Sequence, residues 1–448
     1  MNAMRNRAHR ETARPSVTKK PLATPLAGSK SGESTASGTL VTRRRFLYGA
    51  VGVGALAAVG AGAAVYTSAA NNQDTEIDYL NVPESSLTTL NDFEALETAE
   101  DSVQKVGEFD LPYGTLVWAG DDSIAACLLP TDTGSPLTQV GLLLLGSGTT
   151  TTVLQRAVGS SDGFEIYDVR ANSDGIVWTE ANILQGSWRV YASTVSSGAG
   201  SIGSPHLLEE GDDAYETPTL AVAGSRAFWQ VNPKSTEADA PSARLMGASF
   251  GKDDAQTVLE SKRRMSSPPY AYGDTITVAP HVDSASTYYQ LTNLDAKTGE
   301  VRDTLTLPHA IKPIEGGYGK TGFMFSFPDI YDYSGAIANL GTYLPRSKPS
   351  NGDYKSAQWF DFTRTPTAAP AWCGNLLIVK STYSICGVDL EKGTYFALDV
   401  EDGADTYGEY LASTGDNDLF VTYTNIDHTP VGAERIYSCR VKTWKPLT

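Results

Sequence analysis

Trp372-Cys373-Gly374-Asn375-Leu376-Leu377-Ile378-Val379 reads as an extended segment, a two-residue polar turn and an intensely apolar short strand. Gly and Asn accept the positive φ angles of a tight hairpin. Four apolar residues in a row predict a strand covered on both faces, rather than one alternating between core and water. The same unit recurs at a period of about fifty residues, which marks a repeat architecture. Its other turns are Asp122-Ser123, Asp174-Gly175, Gly224-Ser225, Gly273-Asp274, Lys320-Thr321-Gly322 and Asp416-Asn417-Asp418. The apolar strands expected behind the seven turns are 124–129, 176–178, 227–231, 275–278, 323–327, 376–379 and 419–423.

A second hairpin follows in several units, as in Leu294-Asp295-Ala296-Lys297-Thr298-Gly299-Glu300 and Val388-Asp389-Leu390-Glu391-Lys392-Gly393-Thr394. Four antiparallel strands per unit, repeated without helical stretches, predict an all-β fold, a seven-bladed β-propeller whose blades bury their faces only against one another. Six or eight blades are alternatives, because the unit at 315–364 contains an insertion that the repeat does not explain. A pair of β-sandwiches is the other architecture. The last unit stops after its third strand, so Val103–Leu111 is expected to supply the missing outermost strand and close the ring. The propeller domain is thus 103–448, with 71–102 as a tether before it.

This pattern resembles the extracytoplasmic propellers of the TolB-like and WD40-like repeat group, over about 100–448 by strand and turn pattern. The Gly-His and Trp-Asp signatures of WD40 repeats and the regular Gly-Gly column of kelch repeats are absent from the sequence. No functional residues follow from the resemblance.

Residues 1–41, rich in Ser, Thr, Pro and Lys, are expected to form a disordered basic tail. Behind them Thr42-Arg43-Arg44-Arg45-Phe46-Leu47 resembles the twin-arginine export consensus, with Tyr48 in place of its final Lys. The uncharged Gly, Ala and Val run at 49–65 suits the weakly apolar core of such a signal. The resemblance implies the twin-arginine translocase as export partner and an extracytoplasmic location for the folded part. Segment 42–70 is either a cleaved signal, with small residues at Ser68 and Ala70 or Thr67 and Ala69, or an uncleaved anchor. As a helix, 46–65 matches the roughly 20 residues that span a bilayer.

The formal charge of -17 is unevenly distributed. Residues 1–70 hold 10 of the 35 basic and 2 of the 52 acidic side chains, which leaves the rest of the chain at -25. Such a surface repels phosphate backbones, so nucleic acid is not an expected partner.

Catalytic signals are weak. Gly247-Ala248-Ser249-Phe250-Gly251 fits the nucleophile-elbow spacing, but that motif needs a strand entering a helix, and here it ends a strand. His9, His206, His281, His309 and His428 show no metal-ligand spacing. The acids at 209–213 and 401–405 read as solvated loops, with a calcium loop as the alternative at 401–405. Tyr113, Tyr167, Tyr215, Tyr270, Tyr272, Tyr318, Trp372 and Tyr410 precede the polar turns, so they pack between blades or line the channel. An oxidising exterior permits a disulfide between Cys373 and Cys386, with buried free thiols as the alternative. No catalytic, cofactor or metal residues are assigned. The expected function is a binding or scaffold module for a protein or glycan, against an extracytoplasmic hydrolase or lyase whose site converges at one channel mouth.

Overall fold

The computed structural model describes Ala55–Leu56 and residues 77–447, apart from 238–239, 285–286, 330–334, 430–433 and 435. Among the described residues the strands form seven antiparallel sheets. Sheet 1 is Leu116–Ala119, Ile124–Pro130, Thr138–Leu144 and Thr150–Leu154; sheet 2 is Glu165–Ala171, Gly175–Asn182, Ser187–Thr194 and His206–Gly211. Sheet 3 is Thr219–Ala223, Arg226–Val231, Ala243–Ser249 and Gln256–Arg263; sheet 4 is Tyr270–Tyr272, Thr275–Val278, Gln290–Asp295 and Val301–Thr306. Sheet 5 is Glu315–Gly319, Gly322–Phe327, Gly341–Pro345 and Trp359–Phe362; sheet 6 is Ala371–Cys373, Leu376–Lys380, Ile385–Asp389 and Thr394–Ala397. Sheet 7 takes Tyr410–Leu411, Phe420–Asp427 and Tyr437–Pro446 from the end of the chain and Val103–Leu111 from its start.

The apolar repeat strand is the second strand of each sheet. Gly175–Asn182 and Leu376–Lys380 are buried at every position, as strands sandwiched between neighbouring sheets must be. A core cluster lies between each successive pair of sheets. Trp178 packs with Val140 and Leu142 between sheets 1 and 2, Phe323 and Tyr343 with Leu291 between 4 and 5, and Val421 and Val441 with Ala125 between 7 and 1. The clusters run round a closed circle, so the fold is a β-propeller and not a pair of sandwiches.

The circle closes as the sequence requires. Tyr437–Pro446 runs antiparallel to Val103–Leu111, with Cys439 opposite Leu111 and Pro446 opposite Val103. Ser438 Oγ and Arg440 Nε donate to Asp110 Oδ1 at 2.8 and 3.1 Å, so side chains fasten the same seam.

Within the expected tether, residues 77–102 are packed along the propeller edge rather than standing off it. The Leu80 amide donates to Thr306 O at 2.8 Å, Leu87–Thr89 adds a parallel strand to sheet 5, and Glu94–Ala95 adds one to sheet 6. Leu80 and Val82 are each 1% exposed and Phe93 packs on Phe360, so apolar burial holds this strap where its short pairings alone would fray. The Thr42-Arg43-Arg44-Arg45-Phe46-Leu47 motif lies outside the described residues. So does the expected apolar helix, except Ala55–Leu56, which are extended and pair with Gln256–Arg263. No helix among the described residues is long and apolar enough to cross a membrane.

Leu80→Ala is therefore expected to cost about 2–4 kcal/mol, read as a lower urea midpoint, whereas exposed Glu97→Ala leaves the midpoint unchanged. Equal midpoints for the two variants would show that the strap does not contribute to the fold.

Candidate functional site

Antiparallel order gives the propeller two different ends. Hairpins joining strands one to two and three to four lie at the turn end. Connections from strand two to three, and the links between sheets, lie at the loop end.

Tyr270, at the head of sheet 4, joins neighbouring sheets: its hydroxyl donates to Pro370 O at 2.7 Å and accepts from the Gly415 amide at 3.1 Å. A Cβ on Gly317 would stand 2.9 Å from the Tyr270 ring, and one on Gly319 would stand 2.0 Å from Trp372 Nε1. The run Glu315-Gly316-Gly317-Tyr318-Gly319 is thus glycine-rich where two aromatic side chains pass over it. Gly415–Asn417, from the first hairpin of sheet 7, lies in parallel register on Ala371–Cys373. Tyr272 Oη donates to Asp416 Oδ2 at 3.2 Å, and the Leu419 amide donates to Asp122 Oδ1 at 3.0 Å.

Two groups of side chains stand out at the loop end. The first is buried, at sheet 5. Arg364, 4% exposed, holds both carboxylate oxygens of Glu315 and donates to Thr342 Oγ1 at 2.9 Å and Ala368 O at 3.2 Å. Burial pushes the Glu315 carboxyl up against the opposing pull of Arg364. Asp361 lies on the fourth strand of the same sheet, and burial pushes its carboxyl up to about 7. Its Oδ2 accepts from Thr363 Oγ1 at 3.2 Å, Oδ1 has no partner, and a Cβ on Gly341 would stand 2.2 Å from Oδ1. The adjoining cleft, lined by Glu315, Gly316, Met324, Ser326 and Pro370, has no room for a small molecule. These carboxylates and the guanidinium hold the 363–370 link in place.

The second group is exposed. Lys380, 2% exposed, donates to Tyr407 O at 2.5 Å and Thr382 O at 3.4 Å, and so fixes two adjoining loops. Gly408 has φ +62°, and a Cβ there would stand 2.0 Å from Tyr383 O, so only glycine lets the loops meet this closely. The outcome is that Tyr383 and Tyr407 present 62% and 58% of their surface to solvent. In the same sector Tyr113 and Tyr437 pack with ring centroids 5.3 Å apart and are 54% and 38% exposed. Beneath them Arg440 bridges Asp110 and Glu401 and lies 3.5 Å from His428 Nδ1.

Sequence-expected residues disperse. Tyr270, Tyr318 and Trp372 are buried between sheets, Tyr215 packs under Arg244, and Tyr113 alone of that set is mostly exposed. Tyr383 and Tyr407 stand in polar loops and Tyr437 at the head of a strand, so none of them carries the turn signal that marks the other aromatics. Ser249 ends a strand and donates to Asp254 Oδ2 at 2.7 Å, which is no nucleophile elbow. His206, His281 and His428 lie in sheets 2, 4 and 7, each with its own partner, Asp253, Val282 O or Arg440. Glu401 is taken up by Arg440 and Lys442, and Asp405 accepts from Tyr410 Oη at 3.0 Å. Among the described residues no His, Cys, Asp and Glu side chains gather as a metal site.

The disulfide expectation is corrected. Cys373 is opposite Leu376 and Cys386 opposite Val379, on the first and third strands of sheet 6. Two strand spacings across and three residues along separate them by roughly 14 Å. A disulfide needs Cα atoms within about 7 Å. Both are buried free thiols, as are Cys127 and Cys439, and burial pushes Cys373 up to about 12.

No protein-family model matches the sequence, and no match was found among curated proteins. Solved structures that resemble the fold include one from a study of two prolyl endopeptidases, with a TM-score of 0.46 at 10% identity over 74% of this chain. The chain spans 50% of that protein's length. An oligogalacturonate lyase in complex with manganese gives 0.42 at 9% identity, over 76% of this chain and 92% of that one. The β-propeller domain of the Trilobed protease from Pyrococcus furiosus gives 0.35 at 9% identity, over 59% and 80%.

Asp361 makes the fold pH-sensitive. Its pKa of about 7 in the fold exceeds the ordinary 3.8, so its stabilising neutral form is fully present below about pH 4 and is lost as the pH rises through 7. Between those limits the wild type should lose up to about 4 kcal/mol relative to Asp361→Asn, measured by urea unfolding across the range. Parallel pH profiles for the two proteins would overturn the assignment.

Proposed function

We propose that this chain is an exported, envelope-associated, seven-bladed β-propeller that acts as a binding or scaffold module for a protein or glycan ligand. The observation that carries the reading is the set of exposed tyrosines at the loop end of the propeller, Tyr383 and Tyr407 on loops fixed by Lys380, Tyr113 on a link between sheets and Tyr437 at the start of a strand. Tyr offers large contact area with only two side-chain torsions to freeze, and its hydroxyl gives a polar handle for sugar or backbone groups. Export rests on Thr42, Arg43, Arg44, Phe46 and Leu47 and on the twin-arginine translocase. The folded part then sits outside the cytoplasmic membrane, anchored through 46–65 where the signal is not cleaved. The acidity of the folded part supports a partner that is not nucleic acid.

A second reading, an extracytoplasmic hydrolase or lyase, is favoured by His428, Arg440, Asp110 and Glu401 gathering beside Tyr113 and Tyr437. Titratable groups next to an aromatic face are what a polysaccharide-cleaving site would need.

Arg43→Lys with Arg44→Lys should leave the protein inside the cell while the wild type fractionates outside, and equal fractionation would end the export reading. For the ligand, the purified chain is sedimented with cell-wall sacculi. Tyr383→Ala with Tyr407→Ala should lower the bound fraction at least fivefold. Undiminished binding would remove the tyrosine face, and release of reducing ends that His428→Asn abolishes would establish the enzyme instead.

A further inference from the structure

The hairpin between the second and third strands of sheet 2 carries Asn182-Ile183-Leu184-Gln185-Gly186 across its turn. Ile183 is 63% and Leu184 99% exposed. Solvated turns favour Gly, Asn, Asp, Pro and Ser. Leu184 is almost wholly in water and Ile183 mostly so, and burial within the fold does not account for two adjacent aliphatic side chains there.

The backbone under them is fixed. Asn182 Oδ1 accepts from the Gln185 amide at 3.2 Å, and its Nδ2 donates to Asp162 O at 3.2 Å, which ties the turn to the 160–163 segment beside it. That segment follows Val158, 47% exposed. Glu180 is wholly buried, and its carboxylate accepts from the amides of Val158 at 2.6 Å and Gly159 at 2.9 Å and from Trp178 Nε1 at 3.0 Å. On sheet 1, Leu137 is 50% exposed at the same end, and its amide donates to Glu165 Oε2 at 3.2 Å. Apolar side chains are thus held out on rigid backbone, the arrangement of a pre-organised interface anchor.

Charge around the turn states what it meets. Asp162, Glu210 and Asp213 are 58%, 65% and 77% exposed, and a Cβ on Gly186 would stand 2.6 Å from Asp213 Oδ1. Arg189 and Lys234 answer only part of this, since Arg189 serves both Asp162 and Glu210 while Asp212 is also exposed. An acidic rim disfavours anionic lipid headgroups and favours a basic surface.

We propose that the Ile183–Leu184 turn is a docking anchor that inserts into an apolar groove, rimmed by Lys or Arg, on a protein partner. The anchor uses sheets 1 and 2 and is independent of what the tyrosine face binds. The test places a photo-crosslinking amino acid at position 184 of the full chain in exporting cells. The control places it at Val301, 49% exposed on the outer strand of sheet 4. The expected result is a protein adduct at 184 but not at 301, reduced at least tenfold by Asp213→Lys. The adducted protein, purified, should bind wild type and Leu184→Met alike and Leu184→Asp at least tenfold more weakly, with binding weakening as salt rises. Position 184 is almost wholly solvated, so unchanged melting of Leu184→Asp separates lost docking from lost folding. An adduct with lipid or a second copy, a partner held equally by Leu184→Asp, or no adduct at 184 would each overturn the anchor. Sacculus binding by the tyrosine face would still be read separately.

Discussion

Every sheet in this molecule depends on the backbone pairing of Val103–Leu111 with Tyr437–Pro446. A strand such as Gly175–Asn182, buried at all its positions, has no face to give to water. A row of such sheets is stable only where the row has no end. Sheet 7 removes the end by taking strands from both termini, and Cys439 and Val441 then complete the core against Ala125 and Leu143 of sheet 1. Were the seam to open, the clusters on either side of sheet 7 would both face solvent. The strap extends the same logic outward, because Leu80, Val82 and Phe93 cover the edges of sheets 4 to 6 that would otherwise remain as open strand edges.

Closing the ring brings seven first strands together at the axis, where space is short. Sheet 5 contributes a strand almost without side chains, and Tyr270 and Trp372 pass over it. The hydrogen bonds from Tyr270 to Pro370 and from Gly415 to Tyr270 join sheets 4, 6 and 7 across the centre. Rigidity at the centre leaves variation to the loop end, where the exposed tyrosines and the Ile183–Leu184 turn both stand.

The repeat was legible because its signal is local. A turn of Gly, Asn or Asp beside a strand apolar on both faces recurs with the fold, and the expected strand 275–278 coincides with Thr275–Val278. Closure by Val103–Leu111 followed from counting strands in the last unit. The strap was not legible: Leu80, Val82 and Phe93 are isolated apolar residues in a polar stretch, and their partners lie more than two hundred residues away in sequence. The separation of Cys373 from Cys386 was hidden too, since it depends on which strands intervene and in what register. The candidate sites were least visible, because Tyr383, Tyr407 and Tyr437 share no offset from any turn.

Three buried charges explain why the loop end holds its shape, and none of them looks structural in the sequence. Glu180 accepts from the amides of Val158 and Gly159, Lys380 donates to Tyr407 O and Thr382 O, and Arg364 donates to Ala368 O. Each holds the backbone of a loop-end loop, Arg364 together with Glu315 and Thr342 and Glu180 together with Trp178. Burying such a group costs several kcal/mol unless it is fully bonded, so each tolerates essentially one arrangement of its loop. Apolar side chains of similar size would fill the same volume at less cost but would leave the loop free to shift. The turn end has such a device too: Asp389, 5% exposed, accepts from the amides of Glu391 at 3.1 Å and Lys392 at 2.9 Å in the outer hairpin of sheet 6. Buried charge therefore fixes connections at both ends, and at the loop end these include the loops that carry Tyr383, Tyr407 and Val158.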